Sequence, residues 1–190
     1  MAEAGGTDFE RLQRRLSEEF DRRGAVTRAL GEEVERRSAQ ARDEGMHFTA
    51  LTEEQLVTKL GKARSPMIVW QAWSGAMTTP GNLSYNVGIL NPDPDARNSL
   101  FVHVFVGPGN VPFDVGDALQ AVDTRFPRLT EPEFAGLSIA AGTTASLSFT
   151  LEVPAGVQPS NYLGNAFLFT ATWHDPAEYL DRGLFVFGVS

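Results

Sequence analysis

Hydrophobic residues follow two different periods along the chain, and the change of period divides the sequence. Between Phe9 and Val34 they recur about every 3.6 positions among Arg and Glu residues, which is the pattern of an amphipathic helix. From Met67 onward, short runs of β-branched and aromatic residues alternate with Gly, Pro, Asn and Asp, as in strands joined by turns. The pattern predicts an α+β fold in which an N-terminal helical arm precedes an antiparallel β-sandwich.

Residues 1–45 are predicted to form the arm, which is highly charged. Thr7 and Glu10 have the spacing of a capping box, so we expect the helix to begin near Asp8. Gly24 favours a break or bend. The apolar positions either pair with a second helix or dock on another surface. Those expected to form an interface are Phe9, Leu12, Leu16, Phe20 and Leu30.

Residues 46–65 are predicted to form a short capped helix and a connector. Thr52 and Gln55 form a second capping box, and Leu51 and Leu56 have the spacing of a hydrophobic staple. Gly61 is expected to end this helix.

Residues 66–190 are predicted to form the sandwich, because six β-rich runs and a seventh near 135–139 fall between turn residues. The six runs are 67–73, 83–90, 100–106, 145–153, 166–173 and 184–189. Between the third and the seventh run, the apolar residues step at helical spacing, so we expect a short inserted helix near 114–126.

Three of these segments resemble a known type of module. They are Leu-Ser-Tyr-Asn-Val-Gly-Ile-Leu-Asn-Pro at 83–92, Ser-Leu-Ser-Phe-Thr-Leu-Glu-Val-Pro at 146–154, and Asn-Tyr-Leu-Gly-Asn-Ala-Phe-Leu at 161–168. The succession is similar to bacterial immunoglobulin-like or fibronectin-like modules over about the last 120 residues. The resemblance implies an immunoglobulin-like sandwich with a role in binding, spacing or assembly.

The predicted strands differ in how polar their two faces are. Runs 83–90 and 145–153 alternate apolar and polar residues, whereas the runs that begin at 100, 166 and 184 have no clearly polar face. In an immunoglobulin-like topology these three runs share one sheet, which would then carry a second apolar face of roughly 600 to 1,000 Å². We expect the following residues of this sheet to contribute to an interface: Phe101, His103, Phe105, Phe167, Phe169, Trp173, Phe185 and Phe187.

Two structures could bury that apolar face, and the sequence does not decide between them. One is the helical arm, from the same chain or from a neighbouring subunit, and the other is the same sheet of a second copy. In either case we expect His103 to be a buried, hydrogen-bonded histidine and not a ligand.

The stretch Asn91-Pro-Asp-Pro-Asp-Ala-Arg-Asn98 places acidic and amide side chains at alternate positions, as in a calcium loop. An EF-hand would require glycine at Ala96 and glutamate at Val102. We therefore predict a plain strand-connecting turn, and retain Asp93 and Asp95 only as candidates for a loosely held cation.

Composition narrows the function further. The net charge of −8 argues against a nucleic-acid partner, and the absence of cysteine excludes disulfides and thiolate metal sites. We find no signal peptide and no membrane span, so we expect a cytoplasmic protein or part of a particle. The three histidines lack zinc-site spacing, and no nucleophile motif or phosphate loop is present, so we expect no catalytic residue and no cofactor.

These observations favour a non-enzymatic structural or adaptor protein that self-associates through its helical arm and an apolar sheet face. The expected partner is a second copy of the chain or another protein. The alternative is a small-ligand or glycan-binding β-sandwich module, in which Trp70, Trp73 or Trp173 stacks on a sugar.

Overall fold

The computed structural model describes residues 8–62, 65–78, 80–108, 137–153, 155–170 and 178–190. The predicted helix near 114–126, Trp173 and the side chain of Phe105 lie outside the described residues. The elements in chain order are α1 (Asp8–Asp43), β1 (His47–Ala50), α2 (Glu53–Lys62), β2 (Met67–Trp73), β3 (Ala76–Met77), β4 (Gly81–Leu90), β5 (Arg97–Pro108), β6 (Leu137–Ile139), β7 (Thr144–Val153), β8 (Ser160–Phe169) and β9 (Tyr179–Val189).

The strands form two sheets, with the orders β1-β2-β4-β7 and β3-β9-β8-β5-β6. Strands β2, β4 and β7 correspond to A, B and E of an immunoglobulin-like sandwich, and β5, β8 and β9 to C, F and G. The predicted α+β fold with an N-terminal helix and an immunoglobulin-like sandwich is therefore confirmed. The short β3 runs parallel to β9, and the other pairs in both sheets are antiparallel.

The main core lies between the sheets, and the alternating strands build it as predicted. Strand β4 pairs with β7 from Gly81 to Leu90 without a register shift, so its odd-numbered side chains all face inward. Phe185 and Phe187 of β9 also point into this core and are 2% and 1% exposed. Both were predicted to lie at an interface, but in this fold their side chains fill the interior of the sandwich.

A polar network crosses the core and joins the two sheets. The buried hydroxyl of Tyr85 donates a hydrogen bond of 2.7 Å to Oε1 of Gln71. Gln71 in turn donates through Nε2 to the carbonyl of Leu184. Burial raises the pKa of the Tyr85 phenol well above its ordinary value, because the charged phenolate would lose its hydration there.

Helix α1 is one continuous helix of 36 residues. The predicted start near Asp8 and its capping box involve residues outside the described part of the chain. From Asp8 to Asp43 the helix runs without interruption through Gly24, so the expected break is absent. Its end is a Schellman motif around Gly45, whose φ is 67°. The N–H of Met46 bonds to the carbonyl of Ala41, and that of Gly45 bonds to the carbonyl of Arg42.

The segment after α1 contains one element that was not predicted. His47–Ala50 forms the edge strand β1, which pairs with β2 where only a connector was expected. The capping box of α2 is confirmed. The N–H of Thr52 bonds to Oε1 of Gln55 at 2.9 Å, and the N–H of Gln55 bonds to Oγ1 of Thr52 at 3.2 Å.

A second apolar core lies between the helices and the outer face of the β1-β2-β4 part of the sheet. Its buried members are Val26, Leu30, Leu56, Met67, Val69, Trp70 and Leu90. Leu30, predicted as an interface residue, therefore packs within its own chain. Sequence analysis expected the sheet that contains β5, β8 and β9 to need a cover. The helix instead packs on the sheet that contains β2, because β2 is apolar on both faces.

Candidate functional site

The N-terminal part of α1 exposes a row of large hydrophobic side chains. We restrict the name arm, which the sequence analysis gave to residues 1–45, to residues 8–21, and call Phe9, Leu12, Leu16 and Phe20 the apolar stripe. These four side chains are 66%, 53%, 61% and 79% exposed. Their spacing of three, four and four residues places them on one face of the helix. A helix of this length extends about 20 Å, so the arm offers one long, narrow apolar surface.

The arm is fixed to the sandwich at Arg22. Nη1 of Arg22 donates a hydrogen bond of 2.7 Å to the carbonyl of Pro92, in the loop between β4 and β5. The same guanidinium bonds to both carboxylate oxygens of Glu19. Hydrogen bonds from Arg22 and then Arg23 lower the pKa of Glu19 below its ordinary value. Four residues further on, Val26 is the first residue of α1 that is buried against the sandwich.

Beyond this point the helix is held by Trp70. Its indole Nε1 donates to Oε1 of Glu33 at 3.2 Å, and the guanidinium of Arg37 lies 5.2 Å from the indole ring centroid. Nη2 of Arg37 also donates to Oγ of Ser146 at 2.7 Å. These contacts tie α1 to both β2 and β7, so the orientation of the arm follows that of the sheet.

The second apolar face of the other sheet exists, but the single chain already buries much of it. Phe167 and Phe169 of β8 belong to neither described core and are 0% and 1% exposed. The ring of Tyr179 meets both of them edge-on. His103 is buried as predicted, with its ring edge-on to Phe169, and Phe101 is half-buried. Phe167 and Phe169 are therefore not open surface, although the sequence predicted them as interface residues.

The loop from Asn91 to Arg97 is the predicted turn. Nδ2 of the buried Asn91 donates to the carbonyls of Asp95 and Ile139, at 2.8 and 3.1 Å. Oδ1 of Asn91 accepts a hydrogen bond from the N–H of Asp93. The Asp93 carboxylate forms an ion pair with Arg97, whereas Asp95 is exposed. The amide of Asn91 and the carboxylate of Asp93 thus stabilise the turn. Among the described residues, no group of three or more His, Asp or Glu side chains has metal-binding geometry.

A polar groove of about 860 Å³ lies beside the end of α1, on the outer face of the first sheet. Its neutral hydrogen-bonding side chains are Gln40, Ser74, Ser84, Asn86, Ser148 and Thr150, and Glu44 and His47 also line it. The exposed His47 ring stacks on Trp73, with ring centroids 5.7 Å apart. Trp70, one of the three tryptophans considered for stacking on a sugar, is only 2% exposed and so is not available for that contact.

Sequence analysis predicted the apolar stripe but missed the residues that fix the orientation of the helix on the sandwich. Sequence analysis assigned no role to Arg22, Glu33 or Arg37. Their contacts with Pro92, Trp70 and Ser146 join residues far apart in the chain, which a local pattern does not reveal. A usable signal was present in Met67–Trp73, because an almost uninterrupted apolar strand must be covered on both faces.

No protein-family model matches the chain, and no curated protein matches it. Among solved structures it is similar to the C-terminal domain of wzt, with 8% identity over 76% of this chain and 78% of that one and a TM-score of 0.45. It is also similar to part of E. coli alpha-2-macroglobulin, with 13% identity and a TM-score of 0.43. That similarity covers 67% of this chain but 7% of the larger protein. A CARDB domain from Pyrococcus furiosus has 14% identity over 66% of this chain and 92% of that one, with a TM-score of 0.36.

These similarities are distant, and the strand order of the chain itself establishes the β-sandwich. Neither described helix combines the length and the apolar character that crossing a bilayer requires.

Proposed function

We propose that this chain is a non-enzymatic structural or adaptor protein that self-associates through the arm of α1. The exposure of the apolar stripe is the observation that supports this proposal. Two Phe and two Leu side chains at these exposures present roughly 400 to 500 Å² of apolar surface on one helix face. The largest apolar patch on a typical soluble monomer is about 300 to 600 Å² and is often functional, so a patch of this size makes the stripe a candidate interaction surface.

The proposal is narrower than the sequence suggested. Leu30, Phe167, Phe169, Phe185 and Phe187 are buried within the chain. Among the predicted interface residues whose side chains are described, the fully exposed ones are therefore those of the arm. The stripe also lies on the same broad side of α1 as the buried Val26 and Leu30, so one face of the helix serves first the sandwich and then the partner.

Light scattering coupled to size-exclusion chromatography tests the proposal on the full chain. We expect a mass above the 20.7 kDa of a monomer at micromolar concentration. Leu16→Glu should yield a monomer, because it places a charge at the centre of the stripe. Since Leu16 is 61% exposed in the single chain, the unfolding midpoint should change little.

Arg14→Glu is the matched control, because it also adds an acid to the arm but lies on the side of the helix away from the stripe. It should leave the mass of the assembly unchanged. A wild-type protein that stays monomeric across the concentration series contradicts the proposal.

The groove supports a second candidate function, the binding of a neutral, hydroxyl-rich ligand such as a glycan. Side-chain amides and hydroxyls both donate and accept hydrogen bonds, as sugar hydroxyls do. Among the described residues that line the groove, there is no Arg or Lys that would pair with a phosphate. The exposed His47 ring provides a flat surface in this lining.

Titration with neutral oligosaccharides, followed by tryptophan fluorescence, tests this candidate because Trp73 lies directly beneath His47. We expect a saturable signal that His47→Ala weakens and Leu16→Glu leaves unchanged. Absence of any saturable signal across an oligosaccharide panel would count against it.

A further inference from the structure

The charges beside the apolar stripe indicate which way two arms would lie against each other. Arg15, Glu19 and Arg23 follow at intervals of four residues, so they line one side of the stripe with alternating sign. The residues nearest the stripe on its other side, Gln13 and Ser17, are uncharged. Each arm therefore has one charged flank and one neutral flank.

In a parallel pair of helices, the charged flank of one helix faces the neutral flank of the other. In an antiparallel pair, like flanks face each other. Only the antiparallel arrangement brings Arg15 of one copy near Glu19 of the other, and it does so twice because of the two-fold symmetry. Arg15 is exposed and has no ion pair with any described residue of its own chain, so this contact would add a partner without breaking one.

The same arrangement also aligns the apolar side chains. When Leu16 faces its own copy, Leu12 faces Phe20 of the second chain. Phe9 then lies beside the aliphatic stem and guanidinium of Arg23, a pairing that aromatic rings favour. Every member of the stripe thus gains a partner in a single register.

We propose that two copies pair their arms antiparallel about a two-fold axis near Leu16, with Leu12 of one chain against Phe20 of the other. This inference rests on the self-association proposed above. Together the two stripes offer roughly 800 to 1,000 Å² of apolar surface for burial, which is below the size of stable interfaces and within that of weak, transient ones. The dimer should accordingly dissociate on dilution, and it should weaken at high salt because the flanking ion pairs are exposed.

Cysteine cross-linking can determine the register directly, because the wild-type chain contains no cysteine. Under oxidation we expect Leu16→Cys to form a disulfide-linked dimer. Leu12→Cys alone and Phe20→Cys alone should not, because each residue lies about 12 Å from its own copy, beyond the reach of a disulfide. A mixture of the Leu12→Cys and Phe20→Cys chains, one of them carrying a tag, should form the cross-linked heterodimer.

The outcomes separate the two proposals. Self-linking of Leu12→Cys and of Phe20→Cys indicates parallel arms and overturns the inference while leaving self-association intact. A dimeric wild type with no cross-link in any variant also overturns it. A wild type that is monomeric by light scattering removes the proposed function itself.

Charge variants give an independent readout. Arg15→Glu should weaken dimerisation by roughly 3- to 10-fold, since it turns two attractive contacts into repulsive ones. Arg14→Glu should have no effect. Equal effects of Arg14→Glu and Arg15→Glu would contradict the assigned register.

Discussion

The indole of Trp70 lies directly over the backbone of Gly88 on the neighbouring strand β4, where a Cβ atom would overlap the indole ring nitrogen. This close approach lets the side chain lie flat between the sheet and α1. The same ring contacts Phe48, with centroids 6.2 Å apart, and bonds to Glu33. Gly88 thereby allows the outer face of the sheet to accept the helix.

Gly88→Ala is expected to destabilise the protein by about 1 to 3 kcal/mol, because the added methyl group must displace a packed ring. The loss should appear in urea unfolding followed by circular dichroism. A red shift of the tryptophan emission should accompany it as Trp70 becomes exposed. Wild-type stability and emission in this variant would mean that the indole is not confined as described.

Gly31→Ala is expected to have the opposite effect. A Cβ at position 31 meets no atom within 4 Å, and the residue lies within α1. Replacing glycine by alanine at an exposed helical position should stabilise the helix by roughly 0.5 to 1 kcal/mol. Thermal unfolding of the two alanine variants side by side distinguishes a steric effect at position 88 from a general effect of the substitution.

Tyr85→Phe should destabilise the protein by about 1 to 2 kcal/mol at neutral pH, because Oε1 of the buried Gln71 loses its hydrogen-bond donor. The effect can be measured from the urea midpoint at pH 7. Phe149→Leu, an apolar exchange beside Tyr85 in the same core, is a suitable comparison because it removes no hydrogen bond.

The pH dependence of stability should also change in Tyr85→Phe. Burial raises the pKa of Tyr85 in the folded state, so its contribution is fully present below the unfolded-state value of about 10 and is lost as the pH rises above it. Wild-type stability should therefore fall more steeply than that of Tyr85→Phe between pH 10 and 11. Parallel curves would contradict this assignment, since Tyr179, whose pKa is raised mainly by burial, is present in both proteins.

Asn91→Ala should cost about 2 to 3 kcal/mol, because it leaves the buried carbonyl of Ile139 in β6 without this donor and removes the bond to the carbonyl of Asp95. Asp95→Asn, in the same loop, should change stability by less than about 0.5 kcal/mol because Asp95 is exposed. Calcium should not raise the unfolding midpoint of either variant or of the wild type. A calcium-dependent increase that Asp95→Asn abolishes would instead restore the cation-site interpretation.

Sequence periodicity predicted the sandwich because its alternating strands obey a local rule. Successive side chains of a strand point to opposite faces of the sheet. In β4 the inward side chains are therefore the apolar Leu83, Tyr85, Val87 and Ile89, and the outward ones include the polar Ser84 and Asn86. The capping box at Thr52 was equally predictable, because its two hydrogen bonds join residues three apart.

Assignments that depend on distant contacts were less accurate. Phe167 and Phe185 both occur in strands with two apolar faces, and nothing in their own sequence tells which face of each strand meets the other sheet. Gly24 lowers helix propensity by only about 1 kcal/mol, and the burial of Val26 and Leu30 against the sheet stabilises the helix on its C-terminal side. Strand β1 was missed because its four residues gain stability only by pairing with β2.

The continuity of α1 has a mechanical consequence. The same helix packs against Trp70 in its second half and extends beyond Arg22 at its N-terminal end. A change in the angle between the arm and the sandwich would therefore break the contact with Pro92 or unwind a helical turn. A partner bound to the arm is therefore held at a fixed distance and orientation relative to the β-sandwich, which a flexible linker would not provide.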